Sequence, residues 1–179
     1  MTEFSLPRIE DLDGDDLASL PKQYRYELHQ GSLVIMASST YWHKVIARRI
    51  LLMLHATGEN VLQDPGVLGD RPRDNRLPDL GVIVHLPPKL ASYYNLPGSA
   101  FSLVIEIVCE HSENGEYTDK MIWYARQGIP EYWIVDQTGD LADGDALVHR
   151  HRLVPPAYLR ESSLLLTELE AEYAQRAVR

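Results

Sequence analysis

The sequence predicts a mixed α/β or α+β domain, a central sheet with helices packed on it. Three observations carry this. The segment Phe101–Val108, FSLVIEIV, is apolar at almost every position, as a strand covered on both faces is. Before it, apolar residues recur at helical spacing up to Ala56. After it, a shorter helical pattern near Tyr117–Gln127 runs into a second buried-type strand at Tyr132–Val135.

Residues 1–23 form an acidic leading segment with room for a short helical turn. Tyr24–Leu28 and Leu33–Met36 flank Gln30-Gly31, the pattern of a hairpin. Ser38–Thr40 offers N-caps for the first helix. His43, Ala47, Ile50 and Leu54 line one face of that helix beside Ile46 and Met53, Lys44, Arg48 and Arg49 take another, and the helix stops near Gly58. Val61–Gln63 is a short strand, Asp64–Arg76 a loop or irregular strand pair, Leu80–Leu86 a strand and Pro87–Gly98 a loop. Gly128 fits a C-cap for the second helix, with Ile129 as its hydrophobic contact and Pro130 barring continuation. Leu147–Leu153 and Ser163–Leu166 suggest a further strand pair, and a helical tail starts at Thr167.

The chain has 179 residues, 45% hydrophobic and 24% charged, which suits one domain over 1–179. Its core spans about 24–136, with further strands and the helical tail over 139–179. This composition excludes a disordered chain, a collagen and a coiled coil. No apolar run approaches the roughly 20 residues of a membrane span, and the acidic start lacks an apolar signal core. Cys109 is the one cysteine, so an internal disulfide and a cysteine-cluster zinc site are excluded. A cytoplasmic protein is the expectation. Seventeen basic and 26 acidic residues give a net charge of −9. That counts against a protein binding nucleic acid mainly through phosphate charge, and it suits a carboxylate-lined metal site.

Three carboxylates stand where a core strand would rather have none. Asp79 follows Pro78 and opens LGVIVHL, Glu106 interrupts FSLVIEIV, and Glu27 sits within YRYEL. Burying one unpaired costs several kcal/mol, roughly, or forces protonation. By strand alternation Glu106 shares a face with Ser102, Val104 and Val108, opposite Phe101, Leu103, Ile105 and Ile107. Each could be a solvated or arginine-paired strand-end residue; Asp79 and Glu106 together are harder to dismiss. Tyr117, Lys120 and Tyr124 share one helix face, so Lys120 is either a surface lysine with a buried stem or a charge reaching a site. His43 is either a core histidine or a site-lining one. Cys109 and His111 make a weak metal pair.

In order, YELHQGSLVIM, WHKVI, LPDLGVIV, LVIEIV and DKMIWYARQGIPEYWIVD resemble the Uma-type restriction-endonuclease family of bacteria, within the PD-(D/E)XK superfamily. The resemblance spans roughly Tyr24 to Asp136, and the last segment is its most specific part. It implies a restriction-endonuclease-like fold, a mixed central sheet flanked by helices. It implies Asp79 and Glu106 as metal ligands, and Lys120 as the catalytic lysine, since Val108 stands where the motif lysine is usual. Glu27 and His43 match further family positions, and Tyr124 would line the site beside Lys120. Cys109-Glu110-His111-Ser112 departs from the family's Ser-Pro type turn. The implied ion is Mg²⁺, with Mn²⁺ as substitute, held by oxygen donors including the backbone carbonyl of Ile107. The implied activity is hydrolysis of DNA phosphodiester bonds, commonly by a homodimer. Arg71, Arg73, Arg76, Lys44 and Arg48 are either contacts to the DNA backbone or a solvated face. The alternative is a catalytically inactive nuclease-fold protein acting as an interaction or regulatory module.

Overall fold

A computed structural model describes residues 8–14, 16–21, 24–36, 39–89, 95–108, 115–137 and 144–177. Ser38, Cys109 and His111 lie outside these residues. Strands β1 (Arg25–His29) and β2 (Ser32–Met36) form the expected hairpin. Gln30 and Gly31 have φ of 51° and 92°, the left-handed pair a two-residue type I′ turn requires. Helix α1 (Tyr41–Ala56) follows, its first turn capped by Thr40, whose hydroxyl accepts the His43 N–H at 3.2 Å.

Next come β3 (Val61–Gln63), β4 (Gly66–Leu68), β5 (Asn75–Arg76), β6 (Leu80–Ile83), β7 (Asn95–Pro97) and β8 (Phe101–Val108). Helix α2 (Asp119–Arg126), β9 (Glu131–Asp136), β10 (Leu147–Val154), β11 (Ala157–Leu165) and α3 (Leu166–Ala177) complete the order. Two mixed sheets result. The larger runs β11-β10-β9-β8-β6-β3, with β8 and β9 parallel and joined through α2. The smaller runs β2-β1-β5-β4-β7.

The larger sheet is covered on both faces, which is why β8 and β9 read as continuous apolar runs. On one face Ile46, Ile50 and Leu54 of α1 and Leu166 and Leu169 of α3 pack on Leu80, Leu103, Ile105, Ile107, Trp133 and Val135. On the other, Trp123 and Tyr124 of α2 pack with Val104, Val108, Tyr132 and Ile134, joined by Val67 of the smaller sheet. Gly128, at φ 73°, ends α2 and lets the Ile129 N–H reach the Tyr124 carbonyl.

Four expectations change. Phe101 falls in the same cluster as Val104, not opposite it, because a register shift at Val82/Ile83 pairs Ile83 with Phe101. β6 ends at Ile83, leaving Val84 and Leu86 exposed. The Pro87–Gly98 loop contains β7, paired in parallel with β4. α2 begins at Asp119, so Tyr117 precedes the helix and its hydroxyl bonds Asp136 instead of sharing a face with Lys120. Among the described residues no helix is long and apolar enough to cross a membrane.

Candidate active site

The β6–β8 register brings Asp79 to Glu106. Leu80 pairs with Ile105, and one residue earlier Asp79 Oδ2 accepts the Ile107 N–H at 2.8 Å. His43 Nε2, in the first turn of α1, lies 3.1 Å from the same oxygen. Arg25 Nη1 lies 3.3 Å from Oδ1. Burial alone would raise the Asp79 carboxyl, but the His43 bond and charge, the Ile107 N–H and the Arg25 guanidinium outweigh it and hold it below its usual 3.8.

Glu106 is gripped by one face of α2. Lys120 Nζ lies 3.0 Å from Oε2, and the Tyr124 hydroxyl donates to Oε1 at 2.7 Å. These two residues are one helical turn apart, as the spacing predicts. Burial pushes Glu106 up to about 8, and the charges of Asp79 and Glu27 add to this against the pull of Lys120 and Tyr124. Burial works against the Lys120 charge, but Glu106, Glu27 and Glu116 outweigh it and hold the ammonium protonated. Glu116 contributes from 3.6 Å.

Glu27 closes the cluster from β1. Its Oε1 accepts the Leu77 N–H at 2.8 Å and its Oε2 meets His29 Nε2 at 2.6 Å. Burial raises this carboxyl, while His29, Lys120 and the Leu77 N–H bring it below its usual value. Sequence reasoning missed Arg25, His29, Asp64 and Glu116. A signal existed for two of them: Arg25 and His29 alternate with Glu27 and so share its strand face. Asp64 has φ of 52°, pairs with Arg25 Nη2 at 2.7 Å, and donates its N–H to the Asp79 carbonyl at 3.1 Å. Burial raises its carboxyl, Arg25 lowers it, and Asp79 raises it further.

The basic candidates separate. Arg76 is buried, bonded through Nη1 to the Leu28 and Asn75 carbonyls and to Asp74, and lies 4.9 Å over the Trp123 ring. Arg73 Nη2 donates to the Gly31 carbonyl at 2.8 Å. Neither guanidinium is placed as an open phosphate contact. Lys44, Arg48 and Arg71 are exposed.

Among the described residues no group of three or more His, Cys, Asp and Glu side chains is gathered as a ready metal cage. The donor chemistry nonetheless suits a hard cation. Among the described residues, five carboxylates (Glu27, Asp64, Asp79, Glu106 and Glu116) converge on one lysine and one arginine besides the two histidines. That excess of negative oxygen is what Mg²⁺ prefers, in a site completed by water and substrate.

Two mixed sheets with helices on both faces of the larger, and a buried lysine set on a strand carboxylate, define a restriction-endonuclease-like α+β protein. The family model Uma2, described as "Putative restriction endonuclease", matches residues 13–176, and the chain belongs to that family. Among solved structures, the fold is similar to that of "a putative nuclease belonging to DUF820" from Anabaena variabilis, with a TM-score of 0.64 and 13% identity over 86% of this chain and 83% of that one. No curated protein matches the chain.

Proposed function

We propose that the protein is a Mg²⁺-dependent endonuclease that hydrolyses DNA phosphodiester bonds, with Mn²⁺ able to substitute. The observation that carries this is the buried pair of Asp79, immediately before β6, and Glu106 on the adjoining β8, with Lys120 at 3.0 Å from Glu106. Membership of a family described as restriction endonucleases supports it. Asp79 and Glu106 would hold the ion, with the Ile107 carbonyl as a further donor. Bound there, it would polarise a phosphoryl oxygen and lower the pKa of a water.

The chain's own residues do the rest. His43 and Arg25 fix the Asp79 carboxylate, and Tyr124 fixes that of Glu106. Lys120, kept charged by its carboxylates, offsets negative charge developing on the phosphoryl group. Of the basic candidates, Lys44, Arg48 and Arg71 are exposed and would meet the DNA backbone. A homodimer, which would let two sites act on two strands, belongs to the same proposal.

The test is calorimetric titration of wild type and Glu106→Gln with Mn²⁺ and Mg²⁺, followed by incubation with DNA. Metal binding and cleavage in wild type, both lost in the variant, are the expected result. A folded wild type that binds no metal and leaves single- and double-stranded DNA intact would overturn it and favour an inactive nuclease-fold interaction module.

A further inference from the structure

A cavity of about 290 Å³ is bounded by Leu17, Leu20, Tyr24, Arg25, Asp64 and Leu77. It adjoins the site described above. Leu77 lies two residues before Asp79, and Arg25 lines the cavity while its guanidinium reaches Asp79 at 3.3 Å and Asp64 at 2.7 Å. We propose that this cavity receives one unstacked nucleobase of the DNA strand being cut, so that the preferred substrate is single-stranded or mispaired DNA. This rests on the nuclease reading and names its substrate class.

Three observations support it. The first is size: the volume falls just below the roughly 300–1,000 Å³ of ligand pockets, room for one base and not for a base pair. The second is chemistry. Leucines and the Tyr24 ring offer apolar and π surface to a flat heterocycle. Arg25 and Tyr26 add polar groups to the same lining, and every nucleobase carries ring or carbonyl acceptors as well as its flat faces. The third is charge. The protein carries −9, and Arg73 and Arg76 are engaged within the fold, so phosphate contacts alone supply little affinity. Base stacking does not depend on positive charge, and bases already unpaired cost least to admit.

The experiment measures binding of the full chain, in EDTA to prevent cleavage, to one fluorescent oligonucleotide in three forms: single strand, perfect duplex, and duplex with one bulged 2-aminopurine. Leu17→Trp fills the cavity, and Tyr24→Ala removes a half-exposed wall, so one variant remains if the other misfolds. Wild type is expected to bind the single-stranded and bulged forms roughly tenfold tighter than duplex and to shift the 2-aminopurine emission. Both variants should lose that preference while retaining Mn²⁺ binding. Equal affinity for all three forms, or a preference surviving in well-folded variants, overturns the inference. Cleavage with Mn²⁺ that shows no preference overturns it and leaves the nuclease reading standing. Binding of free dGMP without binding of any DNA form overturns it in favour of a small-molecule site. No binding and no cleavage of any form overturns both.

Discussion

The Lys120 ammonium lies 3.0 Å from Glu106 Oε2, with both side chains only 3% exposed, although one sits on α2 and the other on β8. The motif's usual lysine position, two residues after the acid, is held by Val108, which packs with Trp123 and Tyr124 under α2. That strand position belongs to the core, and the lysine beside the acid comes from the helix above.

Above about pH 8, where Glu106 is ionised beside Lys120, breaking that pair on one side strands a buried charge. Lys120→Met should destabilise the protein by about 3–5 kcal/mol, and adding Glu106→Gln should recover much of the loss. Urea denaturation of the two single variants and the double variant checks this. Additive losses would mean the two groups do not act as a unit.

Stability should be highest in mildly acidic solution. Glu106 is raised from 4.5 to about 8, so its proton is held more tightly in the folded chain. The stability it gives is full below 4.5 and is lost as the pH rises toward 8. Asp79 and Glu27 are lowered on balance, so their contribution is present above the usual carboxylate range and is lost as the pH falls through their folded values. The unfolding free energy should decline above the carboxylate range by up to about 1.4 kcal/mol per pH unit, and the melting temperature measured against pH should fall with it. Glu106→Gln should flatten that decline and keep the acid limb; an unchanged slope would contradict the raised carboxyl.

Arg71 and Arg76 should behave oppositely. Arg76 is engaged with Asp74, two carbonyls and Trp123, so Arg76→Ala should cost about 2–4 kcal/mol of stability. Arg71→Ala, at an exposed position, should leave stability within about 0.5 kcal/mol. If Arg71 meets a phosphate, its loss should also make the salt dependence of DNA binding shallower by about one unit. Parallel thermal melts and binding isotherms at several salt concentrations separate the two residues.

What the sequence disclosed and what it hid follow from periodicity. β8, β9 and α1 were legible because burial on two faces or on one helical stripe leaves a repeating pattern. Asp79, Glu106 and Glu27 stood out because a carboxylate in such a pattern is costly. β7 was hidden, since three residues ending in Pro97 carry no alternation to read. Arg25 and Asp64 were hidden because a charged residue at a strand start or in a loop is what a solvated surface also shows. Only their convergence on Asp79 distinguishes them, and that is a property of the packing of β1 against the loop before β6.

The same convergence sets what Asp79→Asn should do. In a cluster of repelling carboxylates, removing one charge would raise stability. Yet His43, Arg25 and the Ile107 N–H together favour the charged form of Asp79. The variant should therefore be less stable than wild type without metal, by about 1–3 kcal/mol. Metal should widen that difference, because it stabilises only wild type. At Mn²⁺ one hundredfold above its Kd, wild type should gain about 2.7 kcal/mol, a rise of roughly 5–10 °C in Tm for a chain this size. Asp79→Asn and Glu106→Gln should show little of that rise, because each has lost one of the two carboxylates proposed to hold the ion. Differential scanning calorimetry of the three proteins with and without Mn²⁺ reads all of this at once. An equal rise in all three would place the metal elsewhere on the protein, and higher stability of metal-free Asp79→Asn would mean that repulsion, not pairing, governs the cluster.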